Sequence, residues 1–168
     1  MGKIINLIHD NSENKHSYYG FEFTDISNNQ YNDILERSLS NLSDSNLDRK
    51  LKILTWGKLL HKEPNCDITF DLSKFSTKLY DNSKKLDLKL LDGRDEIIQI
   101  SIIQHPIFDL LVEKILNEIT DSNADTISFV CNHGKHRSVG WAEILKKYYF
   151  KNASVHHLRF KENQKEVW

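Results

Sequence analysis

The sequence predicts an α/β fold: a mainly parallel sheet flanked by helices, with a strand–loop–helix unit at residues 127–149. Three observations carry this. Short β-rich apolar runs recur along the chain, as LKILTWG, DITFDL, TISFVC and ASVHHLRF. Two stretches with helical apolar spacing, PIFDLLVEKILNEI and SVGWAEILKKYYF, fall between the later runs. Strands alternating with helices are the pattern of a parallel sheet covered by its own crossovers.

Taken in order, KIINLI reads as a strand and YNDILERSLSNL as a helix, inside a region rich in Asn, Ser and Asp. Residues 1–50 are therefore expected to form an amino-terminal arm or extension, and residues 51–168 the α/β domain. LKILTWG is a strand stopped by Gly57, and DITFDL a second one after Pro64 and Asn65. TKLYDNSKKLDLKLLDGRDE is polar and reads as a long loop. EIIQISIIQ fits either a buried strand or a helix. Pro106 is expected to open a helix whose apolar residues are Ile107, Leu110, Leu111, Ile115 and Ile119. TISFVC is a buried strand, and Ser138 caps or enters the helix that follows the loop NHGKHR.

Composition narrows the class. Of 168 residues, 39% are hydrophobic and 28% charged, a globular balance that excludes collagen-like and wholly disordered chains. No run approaches the ~18 apolar residues of a membrane span, so no membrane association is expected. Two cysteines, Cys66 and Cys131, cannot build a disulfide-dense scaffold or a four-cysteine zinc site. The start MGKIINLIHDN lacks a signal-peptide core, and Asn6 stands where a myristoylation site wants Ser or Thr. A reducing compartment, the cytoplasm, is the expected location. The net charge of −1 hides an asymmetry. Residues 1–48 carry three basic side chains against eight acidic ones. Residues 126–168 carry eight against three, with four of the eight histidines. A basic, histidine-rich end suits an anionic ligand, phosphate or nucleic acid, although a solvated surface gives the same composition.

The chemistry concentrates in VCNHGKHRSV. A strand ending at Cys131, a glycine-bearing loop and a helix starting near Ser138 bring three positive sources to one place. Loop N–H groups can converge, a helix start adds its free N–H groups, and Arg137 offers a planar fork. Gly134 supplies the backbone freedom and the close approach that such a loop needs. The candidate ligand-binding residues are Asp71, Cys131, Asn132, His133, Gly134, Lys135, His136, Arg137 and Ser138. The spacing of a Walker loop is absent. A zinc site from Cys131, His133 and His136 is disfavoured by the tight loop and the neighbouring arginine, so no metal or cofactor is expected. His156 and His157, adjacent on a strand, point to opposite faces. Trp141 reads as core, and Trp56 either lines the site or packs.

The loop resembles two families. Cys131, Gly134, Arg137 and Ser138 meet C-x-x-G-x-x-R-[ST], the signature of the cysteine-dependent phosphatases. That likeness implies Cys131 as nucleophile and an aspartate, such as Asp71, as general acid. Val130 stands where tyrosine phosphatases have histidine, and no recognisable acid loop surrounds Asp71, Asp92 or Asp95. For Cys131 the plain alternative is a small buried residue at a strand end, and for Asp71 a turn cap.

The second resemblance covers more of the chain. VCNHGKHRSVGWAEILKKYYFKNASVHH is similar to the carboxy-terminal domain of RapZ, the bacterial RNase adapter family, with Cys131, Gly134, Lys135, His136, Arg137, Ser138, Val139, Ala142 and Glu143 in register. TWGKLLHKEPNCDITFDL resembles that family's paired strands, through Trp56, Gly57 and Asp71, and DGRDE resembles its Thr-Gly-x-Asp turn. The likeness runs from about Lys52 to about Lys161. It implies an α/β domain comparable to a phosphofructokinase subdomain, binding a phosphorylated aminosugar and small regulatory RNAs. His133, Asn132 and Ser73 depart from the family pattern, and its P-loop kinase-like domain has no counterpart in these residues. The expected function is therefore binding of a phosphorylated metabolite, an aminosugar phosphate or a nucleotide-like molecule, through the loop 131–138. RNA would be held by Lys146, Lys147, Lys151 and the basic tail. A cysteine-dependent phosphatase is the alternative, and a homo-oligomer is compatible with either.

Overall fold

Five strands line up in one all-parallel sheet: β1 (Lys3–Asn6), β2 (Lys52–Gly57), β3 (Ile68–Asp71), β4 (Thr126–Cys131) and β5 (Ser154–His157). Their spatial order is β1-β3-β4-β2-β5, which puts β4 at the centre. Among the described residues four helices accompany them: α1 (Glu96–Ile103), α2 (Phe108–Ser122), α3 (Arg137–Tyr148) and the single turn α4 (Leu158–Lys161). The computed structural model describes residues 2–7, 48–75 and 89–161. The predicted helix YNDILERSLSNL and most of the predicted loop TKLYDNSKKLDLKLLDGRDE lie outside these residues.

The crossovers explain the layers. From β3 to β4 and from β4 to β5 the chain steps the same way across the sheet, and right-handed crossovers then place their helices on one face. Accordingly α1 packs against α3. From β2 to β3 the chain steps the other way, through residues 58–67 and without a helix.

The core lies on the helical face. Ile53, Ile68, Phe70, Ile127 and Phe129 of the strands join Ile98, Ile102, Phe108, Leu111, Ile115, Trp141 and Leu145 of the helices. Aromatic rings bind the layers: Phe70 and Phe129 stack at 5.4 Å, and Trp141 lies 5.2 Å from Phe108 and 5.7 Å from Phe75. Trp141 is thus core, as its sequence suggests. The opposite face carries a buried polar strip. The Trp56 indole donates to Ser128 Oγ at 3.2 Å, and Ser128 Oγ lies 2.9 Å from Thr69 Oγ1. Cys66 Sγ sits 3.3 Å from Thr69 Oγ1 and 3.4 Å from Ser128 Oγ. Trp56 therefore packs against the sheet.

Most sequence elements appear where expected. KIINLI forms edge strand β1, pairing with β3 and sending Ile5 into the core. EIIQISIIQ resolves as helix α1, because Ile98, Ile102 and Ile103 recur at helical spacing toward the core. Helix α2 begins at Phe108, two residues after Pro106. Its buried stripe is Phe108, Leu111, Val112, Ile115, Leu116 and Ile119, whereas Leu110 is 65% exposed. With 3.6 residues per turn Leu110 points to the side of the helix opposite that stripe, so its place in the predicted apolar face is corrected. The helix ends at Asn123, which adopts the left-handed conformation with φ 52°. No helix among the described residues is long and apolar enough to cross a membrane.

Candidate functional site

Because every strand is parallel, Gly57, Asp71, Cys131 and His157 all lie at the carboxyl end of the sheet, where α/β proteins generally hold ligands. The predicted loop spans the middle of that end. β4 ends at Cys131, and α3 starts at Arg137. Gly134 holds the turn between them with φ +64°. A Cβ there would come within 2.6 Å of Gly57 N and 2.7 Å of Trp56 C. Reciprocally, a Cβ on Gly57 would come within 2.5 Å of the His133 carbonyl carbon. Two glycines thus let β2 and the loop touch backbone to backbone.

Hydrogen bonding in the loop is lopsided. Its carbonyls are used: those of Cys131 and Asn132 accept from Lys58 and Leu59 N–H, and that of His133 from Arg159 Nη1 at 2.7 Å. Those of Lys135 and His136 accept from Gly93 and Gly140 N–H. The backbone N–H groups of His133, Lys135, Arg137 and Ser138, by contrast, donate to no acceptor among the described residues. His136, at the helix N-cap, makes no side-chain cap bond. Donors left over at a helix start carry positive potential.

The cations are held by specific bonds. Arg137 Nη1 donates to the carbonyls of Leu72, Ser73 and Phe75 at 3.1, 2.7 and 2.8 Å. It fastens the segment after β3 to the start of α3, and among the described residues Nη1 makes all of this guanidinium's hydrogen bonds. His136 Nε2 donates to the Leu91 carbonyl at 2.9 Å, and Lys135 Nζ to that of Lys89. Residues 89–93 thereby brace one side of the loop, and residues 57–59 the other. Asn132 and His133 are exposed at its tip.

Cys131 is buried, and its sulfur faces the loop's interior. Sγ accepts the Gly134 N–H at 3.2 Å and lies 3.3 Å from Ser138 Oγ. Ser138 has entered the first turn of α3. Asp71 alternates with the core residue Phe70 and so leaves β3 on the opposite face. It pairs with Lys58 and accepts the Ser73 N–H at 2.8 Å, and among the described residues it has no hydrogen bond to the loop 131–138. Burial alone would raise its pKa, but the Lys58 ammonium and the Ser73 N–H outweigh this and hold the carboxyl below 3.8.

At the β5 side a second set of groups assembles. His157 Nε2 donates to Glu143 Oε1 at 2.9 Å, and its Nδ1 lies 2.9 Å from Thr55 Oγ1. The His157 hydrogen bond, opposed by burial, keeps the Glu143 carboxyl below its ordinary 4.5. Glu143 also lines an open groove of about 560 Å³ with Arg94, Glu96, Gln99, Lys146, Lys147 and Lys151. Arg94 is clasped by Asp92 and lies over the Phe160 ring at 4.2 Å. This groove follows α1 and α3 and includes none of the loop residues 131–138.

A depressed carboxyl pKa means that the folded state prefers the ionised form. The Glu143 contribution is complete above pH 4.5 and is lost as the pH falls through the lower folded value. Glu143→Gln is therefore expected to flatten the first part of the acid limb in urea midpoints measured against pH. A limb unchanged in the variant contradicts a stabilising Glu143–His157 contact.

Sequence reasoning did not find Lys58, Arg159, Gly57 and Gly93 as parts of this site. The aromatic-glycine and DGRDE matches touched Gly57 and Gly93, but pairing across the fold is what reveals their role. Neither a family model nor a curated protein matches the chain.

Proposed function

We propose that this domain binds a phosphorylated metabolite through the loop 131–138, in the manner that its likeness to the RapZ carboxy-terminal domain implies. The observation that carries the reading is the imbalance of the loop: five carbonyls are bonded, while four N–H groups in the loop and at the helix start have no acceptor among the described residues. A tetrahedral oxyanion is the ligand such donors suit. Arg137 Nε and Nη2 and the tip residues Asn132 and His133 supply further donors to it. An aminosugar phosphate and a nucleotide-like molecule share this chemistry. The groove of Arg94, Lys146, Lys147 and Lys151 supports a wider form of the reading, in which RNA phosphates are a second ligand.

The test is a thermal-shift series with inorganic phosphate, sugar phosphates and nucleotides. A ligand that stabilises the native state raises the midpoint in proportion to the logarithm of its concentration. The wild type is expected to rise with phosphate compounds, and Arg137→Ala to respond at least tenfold more weakly in concentration. Equal responses in the two proteins contradict the reading.

A second reading, a cysteine-dependent phosphatase or phosphotransferase, is favoured by one observation: Cys131 Sγ is in contact with the Gly134 N–H and the Ser138 hydroxyl. Those partners are suited to a thiolate nucleophile. It predicts turnover of an aryl phosphate that disappears in Cys131→Ser. No turnover between mildly acidic and neutral pH retires it.

A further inference from the structure

The groove along α1 and α3 has a construction of its own. Three of the side chains that line it are fixed at one end and free at the other. Gln99 is 8% exposed, and its Nε2 donates to the carbonyls of Gly93 and Arg94, both at 3.2 Å. Its Oε1 accepts no bond among the described residues, yet it is not sealed in the core, so it opens on the groove. Asp92 holds Arg94 through Nε and Nη2, and the Phe160 ring lies against the guanidinium, which leaves Nη1 without a bond among the described residues. Glu143 accepts from His157 with Oε1, and its Oε2 has no bond among them. Arg94 and Lys146 both help to keep that carboxyl ionised, but neither forms an ion pair with it.

We propose that this groove is a binding site for a free acidic α-amino acid, such as glutamate or aspartate. The inference goes beyond the anion reading of the loop 131–138, which contributes no residue to the groove. The fixed acceptors, Glu143 Oε2 and Gln99 Oε1, suit an ammonium group, and the Arg94 Nη1 donor suits a carboxylate. A ligand that carries those two groups on one carbon answers both signs at once, whereas a plain anion meets the Glu143 charge as a repulsion. Lys146 and Lys151, exposed and without an ion pair among the described residues, remain for an acidic side chain. The volume of about 560 Å³ admits such a molecule. No apolar side chain among the described residues lines it, so a large apolar group or a stacked base gains little there. Because Asp92, His157 and the Gly93 carbonyl already hold the three recognising groups, these lose little freedom on binding. RNA phosphates reach the same cations but bring no ammonium to the two acceptors.

Titrations of the full chain at neutral pH and fixed ionic strength test this, followed by the ¹H–¹⁵N resonances of the Gln99 side-chain amide and of the α1 and α3 backbone. The probes are L-glutamate, glutarate, which lacks the ammonium, 4-aminobutyrate, which lacks the α-carboxylate, and L-glutamine, whose side chain is uncharged. L-Glutamate is expected to bind saturably. Each of the other three is expected to bind about tenfold more weakly, since each loses one charge-assisted pairing. Glu143→Gln is expected to bring L-glutamate down to the affinity of glutarate. The doubly substituted protein, Lys146→Gln with Lys151→Gln, is expected to lose the preference for L-glutamate over L-glutamine. Both lysines are exposed, so the fold should survive that change, which circular dichroism verifies. Glutarate binding as tightly as L-glutamate overturns the inference and leaves a plain cationic surface. So does a preference over L-glutamine that survives the double substitution, and so does the absence of any saturable response to L-glutamate. An RNA oligonucleotide that moves these resonances where L-glutamate does not gives the groove to nucleic acid instead and overturns the inference too. None of these results bears on the loop, whose own amides report the anion reading separately.

Discussion

Gly134→Ala is expected to destabilise the protein by about 3 kcal/mol or more, combining left-handed backbone strain with overpacking. In a chain of this length that lowers the thermal midpoint by about 6–12 °C. Two independent terms act at this position. An alanine at φ +64° is strained wherever it sits. Its Cβ would also lie 2.6 Å from Gly57 N and 2.7 Å from Trp56 C, and both are backbone atoms of a central strand that no rotamer change can move. Gly140→Ala is the control. Gly140 is equally buried, but it lies in the interior of α3, and the nearest atom to its Cβ is Ile102 Cδ1, the far end of a side chain. There the helical preference of alanine, about 1 kcal/mol, offsets a modest repacking. Urea denaturation of the two variants measures the contrast. A Gly134→Ala protein as stable as Gly140→Ala would mean that β2 and the loop do not meet backbone to backbone.

Arg137→Ala has the second large effect, expected at about 2–4 kcal/mol, because three carbonyls lose a charged donor at once and only partly regain water. The carbonyls of Leu72, Ser73 and Phe75 lie on the segment that leaves β3, and Phe75 carries that segment into the aromatic core beside Trp141. Arg137→Lys separates fastening from charge. The ammonium keeps the positive potential at the helix start but lacks the planar fork, so it should recover most of the phosphate response and only part of the stability. If both variants are as stable as the wild type, Arg137 does not fasten the β3 segment. If Arg137→Lys regains the full stability but none of the phosphate response, the planar fork serves the ligand more than the fold.

Much of the fold was legible because the local signals agree. TISFVC, the glycine loop and the helix after Ser138 form a unit whose strand, turn and helix are each specified by their own residues. The same holds for LKILTWG and DITFDL. EIIQISIIQ was ambiguous because five isoleucines satisfy both periods, and packing of Ile98 and Ile102 against Gly140 of α3 shows what the helical choice serves. The site was legible in part. Gly134 announces a special backbone and Arg137 an anchor, but the sequence contains no local sign that Arg137 Nη1 reaches three carbonyls some 60 residues earlier. Nor does it show that Asp71 pairs with Lys58, from the far side of β4, since that pairing depends on the strand order and register. Arg159 reached the site through α4, a helical turn that the run ASVHHLRF, read as one strand, conceals.

The most direct measurement is a titration of inorganic phosphate followed by the amide ¹H–¹⁵N resonances of the full chain. Saturable, concerted shifts are predicted at His133, Lys135, Arg137 and Ser138, with Gly134 moving as its bond to the Cys131 sulfur adjusts. Shifts confined to Lys146, Lys147 and Lys151, or growing linearly without saturation while those four amides stay still, would contradict an oxyanion seat between β4 and α3.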